Sequence, residues 1–350
     1  MIAATMNGNG IKHINLALQG GGAHGAFTWG VLDRLLQEER LAIEGISGTS
    51  AGAMNGAVLV SGYAKGGRQG ARDALDEFWY EMASLSPIGL VHRSPIDQIR
   101  QNWNTDESLN VAAFEALFAV VSPYQMNPFN FHPLRPILEK MIDFQALQSC
   151  RSLKLFVNAT NVRTGRNHIF DHASLDLDAI IASACLPTLF QAVVLNGDAF
   201  WDGGYTGNPA LYPLVYGCAC KDVAIVQINP MERAGVPKTA REIMNRLNEV
   251  TFNASLMAEL RAIAFVQRLI EDDNLKGHAV NRLSRIHVHM IGSEEDMLAL
   301  GTSSKYNIDL EFLTYLKELG RDCAERWLSE HWDTIGKDSS LDIQKLLQGD

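Results

Sequence analysis

The chain of 350 residues contains few cysteines and no long apolar run. Its five cysteines are odd in number and irregularly spaced, which argues against a disulfide framework and for a reducing compartment. No uninterrupted apolar stretch approaches the length that crosses a bilayer. Residues 1–12 lack the basic segment and apolar stretch typical of a signal peptide. We therefore expect a cytoplasmic protein.

Positive charge is also scarce. Lysine and arginine number 30 against 40 acidic residues, which gives a formal net charge of −10. This balance disfavours nucleic acid as a partner and opposes general adsorption to anionic lipid. Any membrane contact must then be local and peripheral. Lys65, Arg68 and Arg72 form one small basic cluster, a pattern that is also typical of a solvated helix.

Grouped metal ligands are lacking as well. His287 and His289 alternate along residues 286–291, so they share one face of a predicted strand. No cysteine, histidine or acidic residue accompanies them at a spacing typical of metal ligands, which favours a satisfied or solvent-facing pair. None of the ten histidines lies in a motif typical of a catalytic triad. We expect neither a metal nor a cofactor.

The most informative feature present is the motif Gly-Thr-Ser-Ala-Gly at residues 48–52. It lies where an apolar strand gives way to a helix of small residues. A serine at the apex of such a turn has an exposed Oγ and a crowded backbone, so the positions of Gly48 and Gly52 tolerate little side chain. The motif predicts a nucleophile at Ser50, although an ordinary Gly/Ser loop can have the same residues.

A second glycine-rich segment, residues 20–25, follows a predicted strand and opens a helix. Its bare N–H groups suit either a phosphate or the oxyanion of acyl transfer. The spacing of Gly20, Gly22 and Gly25 matches a dinucleotide fingerprint, but the next strand ends at Ser50 and not at the acidic residue that such a site needs. No Gly-Lys-Ser/Thr follows, which excludes a Walker loop. An oxyanion hole beside a nucleophile is the simplest interpretation.

The third segment is Asp202-Gly203-Gly204, which follows an aromatic strand end at residues 199–201. An aspartate in a Gly-rich turn is usually a turn former, because its side chain can accept a hydrogen bond from the backbone two residues on. Beside a serine elbow and a glycine loop, Asp202 also becomes a candidate base. Burial near Trp201 and Tyr205 would raise its pKa toward neutral.

In this order, the three segments resemble the patatin-like phospholipase family. Residues 183–187, Ser-Ala-Cys-Leu-Pro, and the following Phe190 resemble the family's segment ahead of the catalytic aspartate. The resemblance covers residues 12–230, which we expect to form the catalytic core. It implies an α/β fold of three layers, with a mainly parallel central sheet flanked by helices.

The resemblance also implies residue roles. Ser50 would be the nucleophile and Asp202 the general base and acid, with an oxyanion hole at Gly20, Gly21 and Gly22. One departure is His24, because many family members carry arginine or lysine at this position. Protonation of His24 would change the activity within the physiological pH range, and His24 stays open as an accessory base against a structural role in the loop.

Two regions surround this core. Residues 84–143 predict an insertion, which contains aromatic residues separated by prolines at residues 123–133. This stretch is expected to form a lid or the wall of an acyl-chain channel. An ordinary packed loop is the alternative. Residues 231–350 predict a mainly helical extension that packs on the core. Its first long helix, at residues 239–270, has an apolar face that packs on the sheet or stays free for lipid or a partner. We expect the tail that ends at Asp350 to be mobile.

The sequence thus predicts a serine acyl hydrolase of the lipase, phospholipase A or lysophospholipase type, which acts on phospholipid or lysophospholipid acyl esters. Two alternatives stay open. An acyltransferase would use the same dyad but pass the acyl group to another alcohol or thiol. A catalytically silent lipid-binding or scaffold protein would keep the pocket without turnover.

Overall fold

The computed structural model describes residues 10–86, 103–104, 106, 120–271 and 285–349. Much of the predicted insertion, including Phe114, Leu117 and Phe118, lies outside the described residues. No helix within the described ranges is both long and apolar enough to cross a bilayer.

The strands of the described chain form one sheet. They are β1 (Lys12–Leu18), β2 (Leu41–Thr49), β3 (Lys154–Asn161), β4 (Asn167–Phe170), β5 (Val193–Leu195), β6 (Asp198–Asp202), β7 (Asp222–Val226) and β8 (His287–Ile291). Their order is β5-β6-β3-β2-β1-β7-β8, and β4 also pairs with β3. Strands β3, β2, β1, β7 and β8 are parallel to one another. Strands β4 and β6 pair antiparallel with β3, and β5 pairs antiparallel with β6.

Helices follow most of the strands. They are α1 (Gly25–Gln37), α2 (Ala51–Ser84), α3 (Pro123–Met126), α4 (Leu134–Met141), α5 (Phe144–Ser149), α6 (Leu177–Ser183), α7 (Tyr212–Gly217), α8 (Ala240–Glu271), α9 (Glu294–Leu298), α10 (Leu310–His331) and α11 (Ile343–Gln348). Short 3₁₀ turns lie at Gly22–His24, Gly203–Tyr205, Thr302–Tyr306 and Trp332–Thr334.

The sheet lies between two helical layers. Side chains alternate along a strand, so Leu16 and Leu18 of β1 enter one apolar cluster while Ala17 enters the other. The first cluster contains α1, α2 and α10, and the second contains α7 and α8. The three-layer α/β fold with a mainly parallel sheet is confirmed.

The C-terminal region is built into this core. Strand β8 continues the sheet beyond β7, and Phe312 of α10 lies in the same apolar cluster as β1. The end of the chain is ordered by packing, because Ile343 of α11 is buried and the Leu341 N–H donates to the Val288 carbonyl at 3.1 Å. The expectation of a mobile tail is therefore wrong over α11, since it overlooked the anchor that β8 provides.

Helices α1 and α10 touch through glycines. A Cβ on Gly320 would overlap the Phe27 carbonyl oxygen, and a Cβ on Gly30 would overlap that of Lys317. Both obstacles are backbone atoms, which cannot rotate away. The two helices therefore pack at a distance that only glycine permits.

Replacing Gly320 with alanine should force α10 away from α1. We expect Gly320→Ala to lower the free energy of unfolding by about 1–3 kcal/mol, the usual cost of overpacking. Urea denaturation measures the change. Gly66→Ala is the matched control, because a Cβ on Gly66 meets nothing within 4 Å. Equal stability of both variants would contradict the close approach of the two helices.

Candidate active site

The glycine loop and the serine elbow lie at one edge of the sheet. Strands β1 and β2 are parallel neighbours, and Leu18 pairs with Gly48. Each strand ends at this edge, so the segments that follow them are brought together. A Cβ on Gly20 would lie 2.8 Å from the Ser50 Cβ. The loop backbone is therefore in direct contact with the predicted nucleophile.

Ser50 has a strained backbone. Its φ of 53° and ψ of −119° lie in a region that residues with a side chain rarely adopt. A Cβ on Gly52 would overlap the Leu18 carbonyl oxygen, and one on Gly48 would approach the Gly52 carbonyl. The Ser50 N–H donates to the Ser183 hydroxyl at 2.9 Å, so the last residue of α6 holds the turn in place. These features are those of a nucleophile elbow.

The Asp202 turn is fixed against the same edge. Strand β6 pairs with β3, where Asp202 lies opposite Ala159. The Asn158 amide donates to the carbonyls of Gly203 and Gly207, each at 2.7 Å. The Thr49 hydroxyl donates to the same Gly207 carbonyl at 2.7 Å. Thr49 and Asn158 thus donate to the same carbonyl, which connects the segment before Ser50 to the turn after Asp202.

The Asp202 carboxyl is buried, with 1% of its surface exposed. Burial raises its pKa to about 6, against the opposing effects of the Gly204 N–H, the Ser50 hydroxyl and the charge of Lys305. Oδ1 accepts from the Gly204 N–H at 2.7 Å, whereas Oδ2 has no donor at standard hydrogen-bond geometry among the described residues. The Ser50 hydroxyl is close enough to this carboxyl to lower its pKa.

The glycine loop offers fewer free donors than the sequence predicts. The Gly20 N–H donates to Asn208 Oδ1 at 2.6 Å, so this donor is already engaged. The N–H groups of Gly21 and Gly22 have no acceptor within the described part of the chain. Gly22 has a φ of 59°, and a Cβ there would overlap the Lys305 carbonyl oxygen.

His24 lies apart from the Ser50–Asp202 pair. Its ring is buried, Nε2 lies 2.7 Å from the Ser304 hydroxyl, and Nδ1 has no partner among the described residues. Burial, with a contribution from Lys305, lowers the pKa of His24 to about 3. With this pKa, His24 is not expected to titrate in the physiological range. The expectation from the sequence differed because the sequence alone did not reveal that the ring is buried. No hydrogen bond within the described structure joins His24 to Ser50 or Asp202.

Lys305 is a residue of this site that the sequence did not predict. Its Nζ donates to Asn229 Oδ1 at 2.9 Å and to Asn248 Oδ1 at 2.7 Å. Asn229 in turn donates to the Gly20 carbonyl at 2.8 Å. Lys305 follows the glycine loop by more than 280 residues and lies in no motif, so no local signal could have identified it.

A cavity of the described structure lies away from Ser50 and Asp202. It has a volume of about 970 Å³ and is lined by residues at the opposite, N-terminal ends of the strands, among them Lys12, Ala42 and Asp222. The histidine pair of β8 faces this end, where His287 and His289 lie 3.4 and 3.1 Å from the same Asp222 oxygen. Within the described ranges, no group of three or more histidine, cysteine or acidic side chains could hold a metal ion.

Comparisons with known structures give distant matches. VipD from Legionella pneumophila matches at 14% identity over 91% of this chain and 67% of VipD, with a TM-score of 0.40. ExoU from Pseudomonas aeruginosa, solved with SpcU, matches at 14% identity over 91% of this chain and 53% of ExoU, with a TM-score of 0.34. The chain spans about two thirds of VipD and about half of ExoU. At these TM-scores, neither likeness assigns a role to this chain.

The comparison with protein families is decisive. No curated protein sequence matches the chain significantly. The model of the patatin-like phospholipases matches residues 16–215, which is more than half of the chain and contains the elbow, the glycine loop and the Asp202 turn. The chain therefore belongs to the patatin-like phospholipase family of lipid ester hydrolases.

Proposed function

We propose that this enzyme cleaves phospholipid or lysophospholipid acyl esters through a dyad of Ser50 and Asp202. One observation carries the proposal: a strained serine lies beside a buried carboxyl whose pKa is raised to about 6. A carboxylate with this pKa is ionised at neutral pH and is a stronger base than an exposed one. It can therefore take the hydroxyl proton without a histidine.

The reaction proceeds in two halves. Asp202 accepts the Ser50 proton while Oγ attacks the ester carbonyl, and it then returns the proton to the leaving alcohol. Water enters and attacks the acyl carbonyl while it loses a proton to Asp202. Asp202 then returns this proton to the Ser50 Oγ as the fatty acid leaves, which regenerates both groups. The backbone N–H groups of Gly21 and Gly22 would stabilise the oxyanion in both halves, whereas the Gly20 N–H holds the loop through Asn208.

A fluorophosphonate probe tests the nucleophile. Such probes react only with activated serines, so we expect the wild-type protein to be labelled and Ser50→Ala to lose both the label and ester turnover. Ser174→Ala is the control and should keep both, because Ser174 is exposed and, among the described residues, its hydroxyl bonds only to Asp171. An unlabelled wild-type protein would contradict the hydrolase and favour a silent lipid-binding role.

The pH dependence tests the base. With a soluble ester, kcat/KM should fall about tenfold per pH unit below about 6, as Asp202 becomes protonated. Asp202→Asn should lower kcat/KM by about 10²–10⁴. His24→Ala should keep the same acidic limb. Loss of the limb in His24→Ala, together with turnover in Asp202→Asn, would assign the base to His24.

The same burial predicts a gain in stability. Because the folded-state pKa of Asp202 exceeds the ordinary 3.8, ionisation disfavours the folded state, and this cost is complete above about pH 6. This shift of the Asp202 pKa corresponds to about 3 kcal/mol, so at pH 8 Asp202→Asn should unfold with a free energy higher by about that amount. Urea denaturation at pH 8 and at pH 4 measures it. A variant that is less stable at pH 8 would indicate a structural carboxylate.

We also propose a peripheral contact with the lipid surface, through an apolar tip formed by residues 120–131. Phe129 and Phe131 are 94% and 66% exposed, and no charged residue lies in this segment. The Asn127 side chain closes the tip by bonds to the Phe131 N–H and carbonyl. Gln191 donates to the Asn127 carbonyl at 2.7 Å, which joins the tip to the segment that precedes β6.

Apolar insertion suits a chain with a net charge of −10 better than electrostatic adsorption does. Phe129→Ser combined with Phe131→Ser should weaken binding to phosphatidylcholine vesicles at least tenfold, since burying each ring contributes roughly 2 kcal/mol. Turnover of a soluble ester should not change. The control is Tyr216→Ser. Tyr216 is an exposed aromatic residue at the opposite edge of the sheet, where the carbonyl of the next residue, Gly217, accepts a hydrogen bond from Lys154. Equal vesicle binding by both variants would contradict the tip.

A further inference from the structure

Lys305 carries a positive charge on which Glu249 and Asp202 act from a distance, without an ion pair. Within the described residues, no carboxylate lies within 4.0 Å of its ammonium. Among the same residues, the ammonium donates to the amide oxygens of Asn229 and Asn248, and it lies 5.3 Å from the centre of the Phe252 ring. An ammonium has three N–H donors, so one is left for a further partner.

The nearby acids are already engaged. Glu249, which is buried on α8, is paired with Arg233 at 2.7 Å and with Arg246 at 3.2 Å. Asp106 accepts from the Ser303 N–H at 3.1 Å and from the Asn245 amide at 2.7 Å. Two arginines are paired with Glu249, so this glutamate has cationic partners other than Lys305.

This charge adjoins the dyad. The Lys305 carbonyl packs against Gly22, and Asn229 links the ammonium to the Gly20 carbonyl. On the other side, the Phe252 ring packs against Gly204, whose N–H binds Asp202. The ammonium therefore lies between the glycine loop and the Asp202 turn, next to the groups that act on the ester carbonyl.

We propose that the Lys305 ammonium forms a binding subsite for the phosphate group of the substrate, so that this enzyme selects acyl esters that carry a phosphate. Lysine binds phosphate as a point charge, and a charge-assisted hydrogen bond is stronger in a partly dry site. The subsite rests on the proposed hydrolase, and it specifies the substrate class that the dyad receives.

A second effect of Lys305 must be separated from substrate binding. Its charge lowers the pKa of Asp202, and its own pKa, lowered by burial to about 8, leaves it mostly protonated at neutral pH. Asp202 also faces the Ser50 hydroxyl, Tyr205 and Cys185. Loss of Lys305 would therefore shift the acidic limb of the pH profile for every substrate. Loss of a phosphate subsite would affect only phosphate-bearing substrates.

The test compares 1-acylglycerol 3-phosphate with 1-acylglycerol of the same acyl chain, over full pH profiles. Lys305→Gln should lower the ratio of plateau kcat/KM for the phosphate ester to that for the neutral ester by about 10- to 100-fold, whatever it does to turnover common to both. Lys305→Arg should restore most of the preference. Lys317→Gln is the control, because Lys317 also lies over an aromatic ring, 4.1 Å from Trp29, but is paired with Asp76. Equal losses on both substrates would overturn the subsite.

A binding measurement separates this proposal from the hydrolase itself. Hexyl phosphate, hexanol and inorganic phosphate are titrated calorimetrically into the wild-type protein and into Lys305→Gln. We expect hexyl phosphate to bind the wild-type protein at least tenfold more tightly than it binds the variant, and hexanol to show no difference. Phosphate binding without turnover of any ester would refute the hydrolase and keep the subsite. Equal affinity of both proteins for hexyl phosphate, or tighter binding of inorganic phosphate, would refute a subsite for the substrate's phosphate.

Discussion

The burial of the Asp202 carboxyl is the constraint on which the rest of the site depends. A carboxylate removed from water is a stronger base, but its ionised form disfavours the folded state, so interactions around it must offset that cost. The structure supplies that support through the β3–β6 pairing, the Asn158 amide and the Gly204 N–H. Ser50, held by its neighbours in a strained conformation, faces this carboxyl across the sheet edge.

The C-terminal region completes the site as well as the fold. Strand β8 extends the sheet, α10 packs on α1, and the turn before α10 carries Ser304 and Lys305 to the glycine loop. Ser304 binds His24, the residue that stands where many family members carry a cation. Lys305 supplies a cation from a different part of the chain. The position of positive charge in this site is therefore set by tertiary packing and not by the glycine motif.

The limits of sequence analysis follow from the same distinction. The placement of Ser50, Asp202 and the glycine loop at one edge of the sheet could be predicted, because each lies in a short motif at the end of a strand, where backbone geometry restricts the residue type. The engagement of the Gly20 N–H could not, because Asn208 comes from a segment 188 residues away. His24 shows the same limit: its residue type suggested titration near neutral pH, but its burial arises from helices distant in sequence. Lys305 has no motif at all.

The central claim is that Ser50 forms the acyl-enzyme with Asp202 as its only base. Intact-mass spectrometry of the wild-type protein and of Asp202→Asn, quenched in acid after mixing with an activated acyl ester, tests it most directly. The account predicts an adduct of one acyl group, mapped to the peptide that contains Ser50, which forms at least about 100-fold more slowly in Asp202→Asn than in the wild-type protein. An adduct on another residue, or equally fast formation in both proteins, would contradict the dyad.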